Sequence, residues 1–352
     1  QRPDDAGLMT RIGGLFASRK DWSRAAEMYA MAWNTRRSIN DGAVYIDMLV
    51  RMNPPNAQVA NAVITELTNM VGDINQSAGL LAAQALVLQA RGRDDFAQQQ
   101  LTKAFDLSVD DNQDLVTWSG NLSRYFEGKP AQDQVQYLEA LKRRNANKDI
   151  HAWIDLFIAK HLALQGENSP RVTEILERLQ GYSSEPAVQV RAFRTLGSTL
   201  FDQGEFEQAA AVWTAGIELF SDDWEMNNNL AYTLSTKLDR VEDALVYGEK
   251  AIDENIARSE AYETMAGIYI RLNRYDEAQQ MIDAGAVLIK SIPARVSMIL
   301  TSGKLELARG NMIEARSRLN DAQSTLRASP TAYPPLEIDI ADFEQEINSA
   351  EG

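Results

Sequence analysis

The chain has 352 residues, no cysteine, two histidines and a formal net charge of −15. Without cysteine there are no disulfides, thiolate zinc sites or cysteine nucleophiles, and without a run of about 18 apolar residues no transmembrane helix is expected. The charge is uneven: residues 1–199 carry 22 Lys+Arg against 23 Asp+Glu, and residues 200–352 carry 13 against 27, a balance that repels nucleic acid and anionic lipid from the C-terminal half.

In chain order, the first signal starts at Gly13, with Phe16, Ala25, Tyr29 and Ala32 at offsets of 3, 12, 16 and 19. It predicts two antiparallel helices joined by a tight turn, over 5–38. Helical runs Val44 to Met52 and Val59 to Val71, around Pro54-Pro55, predict a hairpin over 41–72. Ala85 repeats the offsets with Leu88, Ala97, Leu101 and Ala104, predicting a hairpin over 77–108. Leu115 to Phe126 and Val135 to Leu141 flank Gly128-Lys129-Pro130 (112–145). Ile150 to Leu164 and Val172 to Leu179 flank Gly166 to Pro170 (148–181), with Ser169-Pro170 as N-cap and first helical residue. The clearest copy is Gly197, Leu200, Ala209, Trp213 and Gly216 (186–220). Ala231 follows with one extra turn residue, giving Leu234, Ala244, Gly248 and Ala251 (223–256). Ala266 gives Tyr269, Ala278, Ile282 and Gly285 (259–290). From Gly303, Ala315, Leu319 and Ala322 fit and Glu306 does not (293–328). Finally Leu336, Ile340, Phe343 and Ile347 share one helical face, predicting a capping helix and polar tail over 333–352; the alternative is the first helix of a further repeat.

The spacing of these copies, 34 from Gly197 to Ala231 and 35 on to Ala266, marks a stacked helical repeat of about nine hairpins. The small residues sit where helices approach closely, and the large residue between them fills the space they leave. One hairpin alone leaves an apolar face in water, and stacking buries it as a continuous core, so the repeat makes one elongated domain over 1–332.

The pattern resembles the tetratricopeptide repeat, most strongly in Asn229-Leu230-Ala231-Tyr232 and in the stretch from Tyr269 to Ala278. The Trp usual early in the first helix is replaced by Met9, Leu81, Phe193, Asn227, Tyr262 and Ile299, and the Pro usual after the second helix is missing. The resemblance implies an all-α, right-handed α-solenoid whose first helices line a concave groove that holds a segment of a partner protein. Carried onto this sequence, the groove residues are Arg191, Arg194, Ser198 and Phe201, then Asn228, Asn229, Tyr232 and Ser235, then Glu263, Ile270 and Arg271. A carboxylate clamp known in this family is not expected, because Ser198, Glu260 and Thr264 stand where it needs Asn and basic residues.

No catalytic residue, metal ligand or cofactor site is expected. His151 and His161 lack ligand spacing. The aspartates from Asp106 to Asp114 lack the Gly and Glu of a calcium loop and read as caps of the next helix. Lys142-Arg143-Arg144 reads as cations at a helix C-terminus. Asn227-Asn228-Asn229 reads either as amides offered to a ligand backbone or as a helix start led by Asp222 or Asp223. Gly181-Tyr182-Ser183-Ser184 is expected to set local flexibility. The expected partner is a protein or peptide, a basic one suiting the acidic half, with no nucleic acid; self-assembly is left open. The function expected is a non-catalytic scaffold or adaptor. The alternatives are a subunit of a large assembly, or the substrate-recruiting arm of a longer enzyme. A chain beginning at Gln1 is expected to be processed or excised, and its compartment, cytoplasmic or exported, is unassigned.

Overall fold

The computed structural model describes residues 5–164, 170–252, 258–328 and 333–351. Among the described residues there is no strand, and the chain is an all-α stack of tetratricopeptide-like hairpins. It divides into two compact units, Gln1–Val188 and Gln189–Gly352.

The first unit holds α1 (Ala6–Ser18), α2 (Trp22–Arg36), α3 (Ile39–Arg51), α4 (Ala57–Val71), α5 (Ala78–Ala90), α6 (Asp94–Ser108), α7 (Asn112–Tyr125), α8 (Ala131–Arg144), α9 (Lys148–Leu164) and α10 (Pro170–Gln180). The second is built from α11 (Pro186–Asp202), whose first turn straddles the division, α12 (Phe206–Leu219), α13 (Trp224–Thr236), α14 (Val241–Ala251), α15 (Ser259–Arg271), α16 (Tyr275–Ala286), α17 (Ile292–Ala308), α18 (Met312–Arg327) and α19 (Pro334–Glu351). Within each unit a helix packs on its hairpin partner, as α1 on α2 or α13 on α14, and the second helix then packs on the next first helix. First helices also pack on one another, α3 on α5 and α5 on α7, and likewise α13 on α15 and α15 on α17.

The sequence offsets explain this packing. The alanine at offset 12, or 13 after the extra turn residue of the Ala231 copy, is fully buried in all six copies: Ala25, Ala97, Ala209, Ala244, Ala278 and Ala315 are each 0 % exposed. A methyl is all that the closest approach of two helices admits. Gly197 shows the complementary half of the rule, since a Cβ there would collide with the buried indole of Trp213. Helix starts are fixed by side-chain caps. Asp21 accepts from Arg24 N at 3.2 Å, Asp111 from Gln113 N and Asp114 N at 2.7 and 2.9 Å, and Asp223 from Met226 N at 2.9 Å.

At the C-terminus α19 packs on α17 and α18 and buries Leu336, Ile340, Phe343 and Ile347. The helix runs on to Glu351, so the polar tail foreseen in the sequence is its last turns. Gly303 leaves the room that the Phe343 ring occupies, 2.6 Å from where a Cβ would stand. The loop at Gly181 to Ser184 hydrogen-bonds back to α9. Tyr182 and Ser184 both donate to Asp149 Oδ1, at 3.0 and 3.1 Å. Ser169, expected as a cap, lies outside the described residues.

Candidate functional site

In the second unit, α11 and α13 are successive first helices, and they bring four of the expected groove residues together. Ser198 and Phe201 of α11, and Asn229 and Tyr232 of α13, line one cavity of about 130 Å³, joined there by Asp202, Trp213 and Thr233. The Phe201 ring lies 6.0 Å from Tyr232 and 6.3 Å from Trp213, centroid to centroid, tilted by 55° and 41°. Trp213 is the buried floor, fixed by its place over Gly197, whereas Tyr232 is 41 % exposed. Burial of part of the Tyr232 side chain, followed by the charge of Asp339, pushes its phenol above the usual range.

The other expected groove residues have different surroundings. Arg194 is a strut between helices: its Nε lies 3.1 and 3.0 Å from the two carboxylate oxygens of Asp223, and its Nη1 lies 3.1 Å from Glu225. Since Asp223 also caps α13, Arg194 locks the start of α13 to α11. Arg191 is half-buried, and burial followed by the nearby charge of Arg194 lowers its pKa. Asn228 is buried, and its Oδ1 has no hydrogen-bond partner among the described residues. Asn227 donates to the Ser221 and Asp223 carbonyls at 2.9 Å, so the first amide of the Asn triplet serves the helix start and the third lines the cavity. Glu263 accepts from Thr301 at 3.3 Å and pairs with no Lys or Arg among the described residues, and burial pushes its pKa up to about 7. Arg271 is exposed and pairs with Asp239 in the turn after α13, away from the cavity lining.

Asp202, Trp213 and Thr233 were not foreseen as site residues. Asp202 reads in sequence as part of a turn and Trp213 as packing. The available signal was an acidic residue ending a helix, where the dipole favours a cation.

The first unit contains a larger cavity, of about 450 Å³, with Lys20, Trp22, Asp47, Arg51, Arg124 and Glu127 in its wall. Its charged groups are largely closed on one another. Arg51 lies 3.1 Å from Asp47 and 3.4 Å from Glu127, Arg124 lies 3.4 Å from Asp47, and the Arg51 guanidinium covers the Trp22 ring at 4.9 Å. The remaining sequence features are structural. His151 Nε2 lies 2.6 Å from the Asn145 carbonyl, Lys142 pairs with Asp155, and Arg144 pairs with Asp106. Among the described residues no three His, Cys, Asp or Glu side chains converge as metal ligands, and no helix is long and apolar enough to cross a membrane.

No protein-family model and no curated protein matches the sequence. Solved structures do match. A monomeric mutant of IFIT1 with Gppp-AAAA is 11 % identical, with a TM-score of 0.50 over 94 % of this chain and 80 % of that one. MamA from Desulfovibrio magneticus RS-1 is 13 % identical over 51 % of this chain and 97 % of that one, with a TM-score of 0.42. Cut9 in its APC/C hetero-tetramer with Hcn1 is 12 % identical over 99 % and 86 %, also at 0.42. At this identity the likeness to IFIT1 is one of fold alone.

Proposed function

We propose that the chain is a non-catalytic protein-interaction scaffold that holds a segment of a partner protein on the first-helix face of its second unit. The observation that carries this reading is the cavity between α11 and α13, where Phe201 and a 41 %-exposed Tyr232 stand beside Ser198 and Asn229. An exposed aromatic over a pocket with polar rim groups is the composition of an interface anchor site. Arg191, Glu263 and Arg271 extend the proposed surface, and Arg194 supports it by holding α11 and α13 in register, whereas Asn228 is buried. The repeat array over 1–332 and the cap over 333–352 belong to the same proposal.

The partner is a protein with a basic segment. From Gln189 onward the chain carries 15 Lys+Arg and 27 Asp+Glu, a net −12, which favours cationic ligands and disfavours phosphate backbones. For that reason the RNA in the IFIT1 structure is not carried over to this chain.

The test is Tyr232→Ala against the wild-type chain, as baits for the same source lysate at low and high salt. The expected result is loss of a salt-sensitive partner with only a small drop in melting temperature, since Tyr232 is 41 % exposed. A partner retained equally by both baits would move the binding surface elsewhere.

A further inference from the structure

The cavity between α11 and α13 has an unbalanced chemistry. Asp202 is the only charged residue in its lining, and no cation pairs with it among the described residues. It is also the last residue of α11, where the helix dipole already presents negative potential and a cation would be stabilising. Asp202 is itself exposed to solvent, and partial desolvation raises its pKa. Nearby carboxylates differ: Asp223 holds Arg194, and Asp239 holds Arg271. Ser198 Oγ and the Asn229 side-chain amide, both in the lining, likewise have no protein partner among the described residues.

The aromatic wall suits a cation. Phe201 lies against Phe206 at 5.1 Å, and Phe206, which does not line the cavity, carries the Lys237 ammonium 5.6 Å from its ring centre. The Phe201 and Tyr232 rings, tilted by 55° to one another, both line the cavity. A planar guanidinium stacks on such rings and presents parallel N–H donors to a carboxylate, and it is less strongly hydrated than an ammonium. A hydroxyl and an amide oxygen at the rim can accept its remaining N–H groups. An apolar side chain would leave Asp202 desolvated and unpaired, and an acidic one would be repelled by it.

We propose that this cavity is the specificity pocket for an arginine side chain of the partner segment, with Asp202 as counter-charge, Phe201 and Tyr232 as stacking wall, and Ser198 and Asn229 as rim acceptors. The proposal rests on the groove reading above and goes beyond it by fixing the residue recognised.

The experiment uses the full chain and an immobilised library of capped random 12-residue peptides, with the strongest binders resynthesised. The expected result is enrichment of arginine at one position. Replacing that arginine by the neutral isostere citrulline weakens binding to the wild-type chain about tenfold, the worth of a charge-assisted pair over an aromatic face. Asp202→Asn weakens the parent peptide by a similar factor and makes the citrulline replacement nearly neutral, while its melting temperature stays level or rises. Binders that depend on Tyr232 but tolerate citrulline would overturn the arginine pocket and leave the groove reading standing. Lysine peptides binding as tightly as arginine peptides would overturn the guanidinium assignment. Binders indifferent to both Asp202→Asn and Tyr232→Ala, or no binders at all, would overturn pocket and groove together.

Discussion

The two units of this chain obey one packing rule and treat their carboxylates differently. In the first unit the buried acids are matched inside the unit. Asp41 is held by Arg36 and Ser38, Asp47 by Arg51 and Arg124, and Asp155 by Lys142 and Arg178. In the second unit Asp223 is matched by Arg194, but Glu263 leans on the Thr301 hydroxyl, and the solvent-exposed Asp202 forms no ion pair among the described residues. Matched charges hold a stack of helices in register. An unmatched buried one costs stability, and an unmatched exposed one leaves negative potential for a ligand to meet. The difference lies in particular carboxylates: Asp41, Asp47 and Asp155 are buried and paired, Glu263 has a hydroxyl in place of a cation, and Asp202 is exposed.

The largest effect should come from breaking the first unit's matching. The double substitution Lys142→Met with Arg178→Met strips both cations from Asp155, whose Oδ1 and Oδ2 now receive them at 2.5 and 2.6 Å. An uncompensated buried carboxylate should lower stability by about 3 kcal/mol, read from urea denaturation of the first unit's transition. A loss under about 1 kcal/mol would show that these pairs are not what secures the unit.

The next effect runs the other way and belongs to the second unit. Burial raises Glu263 from 4.5 to about 7, so between those values the folded chain holds a proton that the unfolded chain has released. Glu263 therefore leaves stability at its full value below pH 4.5 and erodes it as pH rises toward 7. Glu263→Gln should remove that slope and raise stability at pH 8 by about 2 kcal/mol, seen in thermal melts across pH. An unchanged slope would mean that Glu263 is not the group that titrates.

The smallest effects form a matched pair. Asp41 sits at the start of α3, where Ser38 Oγ donates to it at 2.6 Å and Arg36 Nε donates at 2.6 Å; the Arg36 hydrogen bond holds its pKa below the usual carboxylate value. That contribution is present above pH 3.8 and is lost as pH falls through the lower folded value. Asp41→Asn should cost about 1 kcal/mol at neutral pH. The same change at Asp202, at a helix C-terminus without a cation, should cost nothing or gain about 0.3 kcal/mol. Equal losses at both positions in differential scanning calorimetry would erase the contrast between the units.

The sequence by itself determined the repeat. Offsets of 3, 12, 16 and 19 locate a fully buried alanine in each clear copy, the Gly197 to Trp213 complementarity, and the apolar face of α19. These are local consequences of helical periodicity and of volume, and a single chain displays both. It also placed Ser198, Phe201, Asn229 and Tyr232 on one surface, because successive first helices repeat in phase. Charge pairing was decided only by the tertiary structure. Arg51 and Asp47 are four residues apart and share a helix face, but Arg124 reaches the same carboxylate from another hairpin, and Arg194 reaches Asp223 across 29 residues. Long side chains choose partners by reach across repeats, which periodicity does not encode, so the strut at Arg194 and the unmatched carboxylate at Asp202 emerge only when the hairpins are stacked.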